Sequence, residues 1–210
     1  MITIENVDVT GFEAAIRGMR NPMNSWDKSD SNFNTNINAY HVWFGANDKK
    51  LMLSLVKAGS DHRKFMRMIN VTMDIKAPLY WWKEFDTYKV GTVTNSCSTM
   101  HKIHDKEFTL DDFSYDHLVP PSISVLKTVI SALNCWRNDY IQFNDKEYWW
   151  NMIQLLPSSY NQLRTVQLNY EVLYNIYFAR RNHKLDEWVY FCSEITKLPL
   201  MSEFLNAKEK

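Results

Sequence analysis

Apolar and polar residues alternate most clearly over residues 66–76. Arg67, Ile69, Val71, Met73 and Ile75 fall on one side, and Met66, Met68, Asn70, Thr72, Asp74 and Lys76 on the other. This period of two predicts a strand whose first set faces a core. A weaker alternation at Ile2, Ile4, Val7 and Val9 predicts another strand over 2–9. Helical spacing predicts a short helix at 11–19, ended by Asn21-Pro22, and a second at 47–58 with Asn47 or Asp48 near its N-cap. Ala77-Pro78 opens a short aromatic helix, LYWWKEFDTY, because proline suits a first helical turn. Residues 21–38 read as a long polar loop, with Asn at six of eighteen positions and Ser at three. Residues 91–108 form a polar stretch without a clear period. Helical spacing returns over 120–142, 145–155, 159–181 and 185–196, punctuated by Pro120-Pro121, Pro157 and Pro199. Asn144, Ser158 or Ser159, and Asp186 stand at plausible helix N-termini. Strands first and helices later indicate an α+β fold: an antiparallel-type sheet with packed helices, a mostly helical C-terminal half, and one domain over 1–210.

Charge narrows the function. Lys+Arg and Asp+Glu are both 24, so the chain lacks the net positive charge that drives binding to polymeric nucleic acid. There are only 5 glycines, and neither G-x-G-x-x-G nor G-x-x-x-x-G-K-[ST] occurs. Rossmann and P-loop nucleotide sites are therefore not expected. The 3 cysteines, Cys97, Cys135 and Cys192, make neither a disulfide framework nor a zinc pattern, and point to a reducing compartment. No apolar run approaches the ~18 residues of a membrane span, and MITIENVDVTGF has no signal-peptide pattern. The expectation is a cytoplasmic protein with no membrane partner and no metal.

Several clusters have two readings each. His101 and His104, with Asp105, would share a helix face as metal ligands, or act as ordinary hydrogen-bonding histidines. Cys97 would be a nucleophile if a helix brought His101 beside it, or else a small buried hydrophobe. Trp81-Trp82 and Tyr148-Trp149-Trp150 are stacking platforms, or core and interface residues. Arg180-Arg181 with His183-Lys184 either complement a helix C-terminus or bind a phosphate or polarise a ring.

Leu156-Pro157 is followed by Asn169 twelve residues after the proline, Asn175 six later and Arg180 five after that. This spacing resembles that of the flavin-dependent thymidylate synthases. If the segment is one helix, ~100° per residue puts Asn169, Asn175 and Arg180 at about 0°, 240° and 20°. A second stretch, YKVGTVTNSCSTMH from Tyr88 to His101, is similar to the family signature R-H-R-x-x-S-x-N-E-x-S-x-R-Y. Asn95 and Ser98 match it. Tyr88, Lys89 and Val90 stand at the Arg-His-Arg positions, Ser96 at the Glu and Met100 at the later Arg, while a further family Arg falls at Ile153.

The resemblance implies a thymidylate synthase-complementing-protein-like fold and a homotetramer. It implies FAD as cofactor, dUMP as pyrimidine substrate, and NADPH and methylene-tetrahydrofolate as co-substrates for reductive methylation to dTMP. It also implies that Asn169 and Asn175, with Lys89 and Asn95, serve the flavin. Arg180 would reach the pyrimidine ring and Ser98 would orient the nucleotide. The altered signature carries two alternatives. One is a flavoenzyme acting on another pyrimidine nucleotide, and the other a non-catalytic nucleotide-binding or interaction protein. The signature looks like that of a divergent, phage-type branch.

Overall fold

The computed structural model describes residues 2–36 and 39–209. In chain order, β1 (Thr3–Thr10) leads into α1 (Phe12–Arg20), then β2 (Asn32–Asn36), β3 (Ala39–Trp43) and α2 (Ala46–Lys57). β4 (Asn70–Pro78), α3 (Leu79–Phe85) and β5 (Thr92–Ser96) follow, and then α4 (Pro120–Phe143) and α5 (Lys146–Leu155). β6 (Asn161–Asn169), α6 (Tyr170–Arg180), α7 (Asp186–Thr196) and α8 (Met201–Glu209) complete the chain. The main sheet is antiparallel, with strand order β1-β4-β6-β5. The α+β class is as expected. No helix among the described residues is long and apolar enough to cross a membrane.

The chain divides into two compact units. One contains the residues up to Glu5, Asp74–Thr87 and Thr94–Val166. Its core gathers Ile103, Phe108, Phe113, Leu126, Ile130, Leu133 and Met152 under the α4–α5 hairpin. Pro120 and Pro121 begin α4, and Asn144 ends it in the left-handed conformation (φ 52°). Asn144 is therefore a C-cap and not the expected N-terminus. Asp145 caps α5 by accepting from Glu147 N–H at 2.9 Å. Trp81 and Trp82 are fully buried, and the Trp82 indole N–H donates to the Gln162 carbonyl at 3.0 Å, so this pair is core.

The other unit contains Asn6–Met73, Tyr88–Val93 and Gln167–Lys210. Ile69, Val71 and Met73 are buried here, and Ile75 in the first unit, as their alternation predicts. Arg67 departs from that set, because Arg63–Met68 form a 3-10 helix and β4 begins only at Asn70. The predicted polar loop over 21–38 is corrected in part: β2 lies within it and pairs antiparallel with β3, Asn32 opposite Trp43. Ile37 and Asn38 lie outside the described residues.

α2 has Gly45 at its N-cap, which offers no capping side chain. Asp30 takes that role from a distance: its carboxylate accepts from Asn47 N–H at 2.9 Å and Asp48 N–H at 3.0 Å. A Cβ on Gly45 would lie 2.1 Å from Asp30 Oδ1, so the approach requires glycine. Asp48 is itself fully buried. Its Oδ1 is 2.7 Å from both Nε and Nη2 of Arg20. Its Oδ2 accepts from Ser29 Oγ (2.9 Å), Asp30 N–H (3.0 Å) and Ser31 N–H (2.9 Å).

The main correction concerns 159–181. The first half is strand β6, in which Gln162, Val166 and Leu168 are buried while Leu163, Thr165 and Gln167 are exposed. That is a period of two, so Ser158 and Ser159 start no helix. The helix begins at Tyr170.

Candidate functional site

Asn169 sits where β6 becomes α6. Its backbone is extended (φ −102°, ψ 166°), and its side-chain oxygen accepts from Val172 N–H at 3.0 Å. It is thus the N-cap, and its amide oxygen satisfies a donor that the helix leaves unpaired. It is not one helical turn among others, so the 0°, 240° and 20° arrangement does not exist. The Asn169 NH2 lies against Gly91: a Cβ there would be 2.7 Å from Asn169 Nδ2 and 3.2 Å from Val172 Cγ2. Gly91 also has φ +74°, a region that costs an L-residue roughly 1–2 kcal/mol. Gly91→Ala is therefore expected to lower stability by about that much and to shift the Asn169 amide. Urea denaturation checks this, and an unchanged midpoint would remove Gly91 from the site.

Arg180 closes α6 and is half-buried in an aromatic setting. Its Nε donates to the Tyr88 hydroxyl at 2.9 Å. Its guanidinium carbon lies 4.8 Å from the Trp188 ring centroid and 5.7 Å from that of Tyr88. Trp188 is fully buried. Arg180 Nη1 is also 3.0 Å from His183 Nε2, while His183 Nδ1 is 3.2 Å from Leu185 N–H. A neutral imidazole accepts through one nitrogen only, so the two contacts compete. The shorter, charge-assisted one to Arg180 favours the tautomer with the proton on Nδ1. Tyr88, His183 and Trp188 together fix where the guanidinium points.

Asn175 is exposed on α6. Five residues from Arg180, it lies about 140° away around the helix. Its side-chain oxygen accepts from Arg63 Nη2 at 3.3 Å. Arg63 also pairs with Glu171 at 2.9 Å and covers the Tyr174 ring at 4.6 Å, and Arg67 lies 3.9 Å from Glu171. Burial pushes the Tyr174 phenol up, against the pull of Arg63. The result is a donor-rich patch of Arg63, Arg67 and Asn175 around one carboxylate.

The signature segment divides between the units. Lys89 is exposed in the turn before β5. Asn95 is exposed on β5, and Ser98 follows that strand, with its Oγ accepting from His101 N–H at 3.0 Å. Lys89 and Arg180 belong to the second unit, Asn95 and Ser98 to the first.

Residues 97–108 hold no helix. The helical spacing that both the His101–His104 metal reading and the Cys97–His101 nucleophile reading needed is therefore missing. No group of three or more His, Cys, Asp or Glu among the described residues is placed to hold a metal. Cys192 is buried, and burial pushes its thiol up to about 12 despite Arg180 nearby, so it is no nucleophile at neutral pH. Gly91, Trp188 and Arg63 were missed at the sequence level. The scarcity of glycine was the one available pointer to Gly91.

No protein-family model and no curated protein matches this chain. Solved structures do. The crystal structure of thymidylate synthase X from Helicobacter pylori with FAD and dUMP aligns with a TM-score of 0.69, over 100% of this chain and 99% of that one, at 16% identity. The chain has the flavin-dependent thymidylate synthase fold. A second structure of the Helicobacter pylori flavin-dependent enzyme, also complexed with FAD and dUMP, aligns at 0.68 over 97% and 96% of the two chains, again at 16% identity. The UMP/dUMP methylase PolB from Streptomyces cacaoi, bound with 5-Br dUMP, aligns at 0.64 over 99% and 95%, at 15% identity. The expected thymidylate synthase fold is thus the one found, and at such identities the likeness is one of fold.

Proposed function

We propose that this chain is a flavin-dependent enzyme that methylates a pyrimidine nucleotide, with dUMP converted to dTMP. The observation that carries the proposal is the α6 segment: Asn169 at its cap, Asn175 on its surface and Arg180 at its end in an aromatic setting, within this fold. FAD would be the cofactor, and NADPH and methylene-tetrahydrofolate would supply electrons and the one-carbon unit. A homotetramer in the cytoplasm is part of the same reading.

The residues suit a flavin. Its ring carbonyls, ring nitrogens and pyrophosphate are acceptors, and Asn169 Nδ2, Asn175 Nδ2, Arg63 and Arg67 are donors. Lys89 adds an exposed cation two residues before Gly91, and Asn95 a further amide. When bound, the flavin supplies the hydride chemistry.

Arg180 has the remaining task. A nucleophilic carbon on the pyrimidine ring places negative charge on a ring oxygen, and a guanidinium already oriented by Tyr88 and His183 stabilises that charge without reorganising. Ser98 would orient the nucleotide through its hydroxyl and attack nothing. No protein nucleophile is required.

The test separates the cap from the cofactor. Asn169→Asp keeps a capping oxygen of equal rank but removes the NH2. The wild type is expected to retain a flavin absorption spectrum after incubation with FAD and gel filtration. The Asp variant is expected to lose that spectrum while keeping its melting temperature. A flavin retained by Asn169→Asp would remove Asn169 from the cofactor site.

A second reading has its own observation. The Arg-His-Arg, Glu and later Arg positions hold Tyr88, Lys89, Val90, Ser96 and Met100. A non-catalytic nucleotide-binding protein, or an enzyme for another pyrimidine nucleotide, would tolerate these changes. A folded wild type that binds no FAD favours the first of these, and turnover of a cytidine nucleotide in place of dUMP favours the second.

A further inference from the structure

The His183 ring stands between two hydrogen-bond donors. Its Nε2 lies 3.0 Å from Arg180 Nη1, and its Nδ1 lies 3.2 Å from Leu185 N–H. A guanidinium has donors and no acceptor, and a backbone N–H only donates. The ring is therefore asked for a lone pair on each side. A neutral imidazole has one, and it serves Arg180. An imidazolium has none, because both of its nitrogens carry protons. Each N–H would then point at another N–H, and the ring would stand as a second cation against the guanidinium. While Arg180 keeps its place, the geometry admits His183 only as the neutral ring.

The surrounding groups do not lift this constraint. Tyr88, from the segment before β5, accepts from Arg180 Nε at 2.9 Å through its hydroxyl oxygen. Trp188 of α7 meets the His183 ring edge-on, with centroids 6.4 Å apart. Arg181, next on α6, lies over Tyr177 and Phe178 at 5.6 and 5.2 Å, and Lys184 is exposed. Burial keeps the Cys192 thiol of α7 protonated. Negative charge comes from Asp186 and Glu187 in the first turn of α7, with Glu187 buried. Carboxylates favour a cation nearby, and Arg180 is already one, since a guanidinium does not lose its proton in proteins. When His183 gains a proton, Arg180 cannot shed one in exchange. It can only move. Nη1 then loses its acceptor, and Tyr88 holds the guanidinium at one point where there were two.

We propose that His183 is a proton-sensitive positioning residue for Arg180: the neutral ring seats the guanidinium, and the protonated ring unseats it. The proposal rests on the role given to Arg180 above and deepens it, by tying that role to a proton that never reaches the substrate. Imidazole is the side chain that changes charge between about pH 5 and 8. Seating is complete at the alkaline end of that range and is lost as pH falls. Arg180 is aimed at charge that develops only in the transition state, so kcat carries the loss and KM largely escapes it.

Turnover of dUMP is measured across that range on full-length, flavin-loaded protein, beside NMR spectra of the same protein with 15N in histidine and arginine. In the wild type, kcat is expected to fall at least about tenfold from the alkaline to the acid end, with KM changing less than about threefold. His183→Gln offers an amide oxygen to Nη1 and does not titrate. It is expected to lower kcat at the alkaline end and to flatten the profile. His183→Lys fixes a cation beside Arg180 and is expected to hold kcat at the wild-type acid level or below at every pH. In the NMR spectra, the His183 ring is expected to carry its proton on Nδ1 at the alkaline end, and the Arg180 Nε–H signal to move with the same midpoint as the ring signals. An acid limb that survives unchanged in His183→Gln overturns the proposal, as does an Arg180 signal that ignores the His183 titration. The two signals titrating together in protein that turns over no pyrimidine nucleotide supports the seat and counts against the enzyme reading. The wild-type spectra need no variant, so the test stands even where a substitution prevents folding.

Discussion

Arg180→Ala is expected to cut turnover of dUMP by a factor on the order of 10² to 10³, the usual cost of removing a group aimed at developing charge. The mechanism lies in how the guanidinium is held. Tyr88 fixes Nε, His183 faces Nη1 and Trp188 lies beneath. A cation placed this way is worth roughly 0.5–2 kcal/mol to the fold, so the melting temperature should fall only slightly while activity collapses. Arg180→Lys keeps the charge but not the planar fork that meets Tyr88 and His183 together. It should recover little of the lost rate. Steady-state kinetics beside thermal denaturation separate the two effects, and wild-type turnover in the Ala variant would remove Arg180 from the chemistry.

Asp48→Ala is expected to have the largest effect on stability, about 3–5 kcal/mol, because it strands Arg20 as an unpaired buried charge. Arg20 is 3% exposed and Asp48 fully buried. For a chain of this size the loss corresponds to a fall in melting temperature of roughly 6–20 °C. Replacing both partners with apolar residues, Arg20→Met with Asp48→Leu, should cost less than Asp48→Ala alone, since neither charge is then left buried.

The pair also sets a pH dependence. Burial by itself would raise the Asp48 carboxyl, but hydrogen bonds from Ser31, Arg20, Ser29 and the Asp30 backbone outweigh it and hold the group below its ordinary 3.8. A depressed carboxyl stabilises the fold fully above that ordinary value. The stabilisation fades as pH falls through the lower, folded value. The gap in melting temperature between wild type and Asp48→Ala should therefore narrow in acid below about pH 4. A gap that stayed constant down to pH 2 would mean the hydrogen bonds do not depress this carboxyl.

Elements whose faces differ sharply were legible in the sequence. β4 could be read because Ile69, Val71, Met73 and Ile75 are all buried and their neighbours are not. α4 and α7 could be read because proline and Asp186 mark their starts. The 159–181 segment misled because β6 and α6 are joined without a glycine, a proline or a loop, and the N-cap Asn169 alone marks the junction. A strand with buried Val166 and Leu168 runs straight into a helix with buried Leu173 and Tyr174, and helical spacing over the second half was extended backwards. The alternation at Gln162, Val166 and Leu168 was present but diluted by half-buried Arg164. Distant capping was invisible for a different reason: Asp30 reaches α2 across a hairpin, and no local pattern encodes that. Asn169, Asn175 and Arg180 stood out by residue type and spacing, but the partners of Arg180 did not. Tyr88 and Trp188 come from distant parts of the chain and carry no mark of their shared role.

The Asn169 cap has a consequence for changes in chain length. From that fixed starting point, each residue of α6 advances the helix by about 1.5 Å and turns it by about 100°. One residue inserted or removed between Asn169 and Arg180 would swing the guanidinium away from Tyr88, whatever the identity of the residue. An exposed intervening position such as Ala179 can vary in composition far more freely than the segment can vary in length. Insertions and deletions scanned along the chain should thus find α6 intolerant.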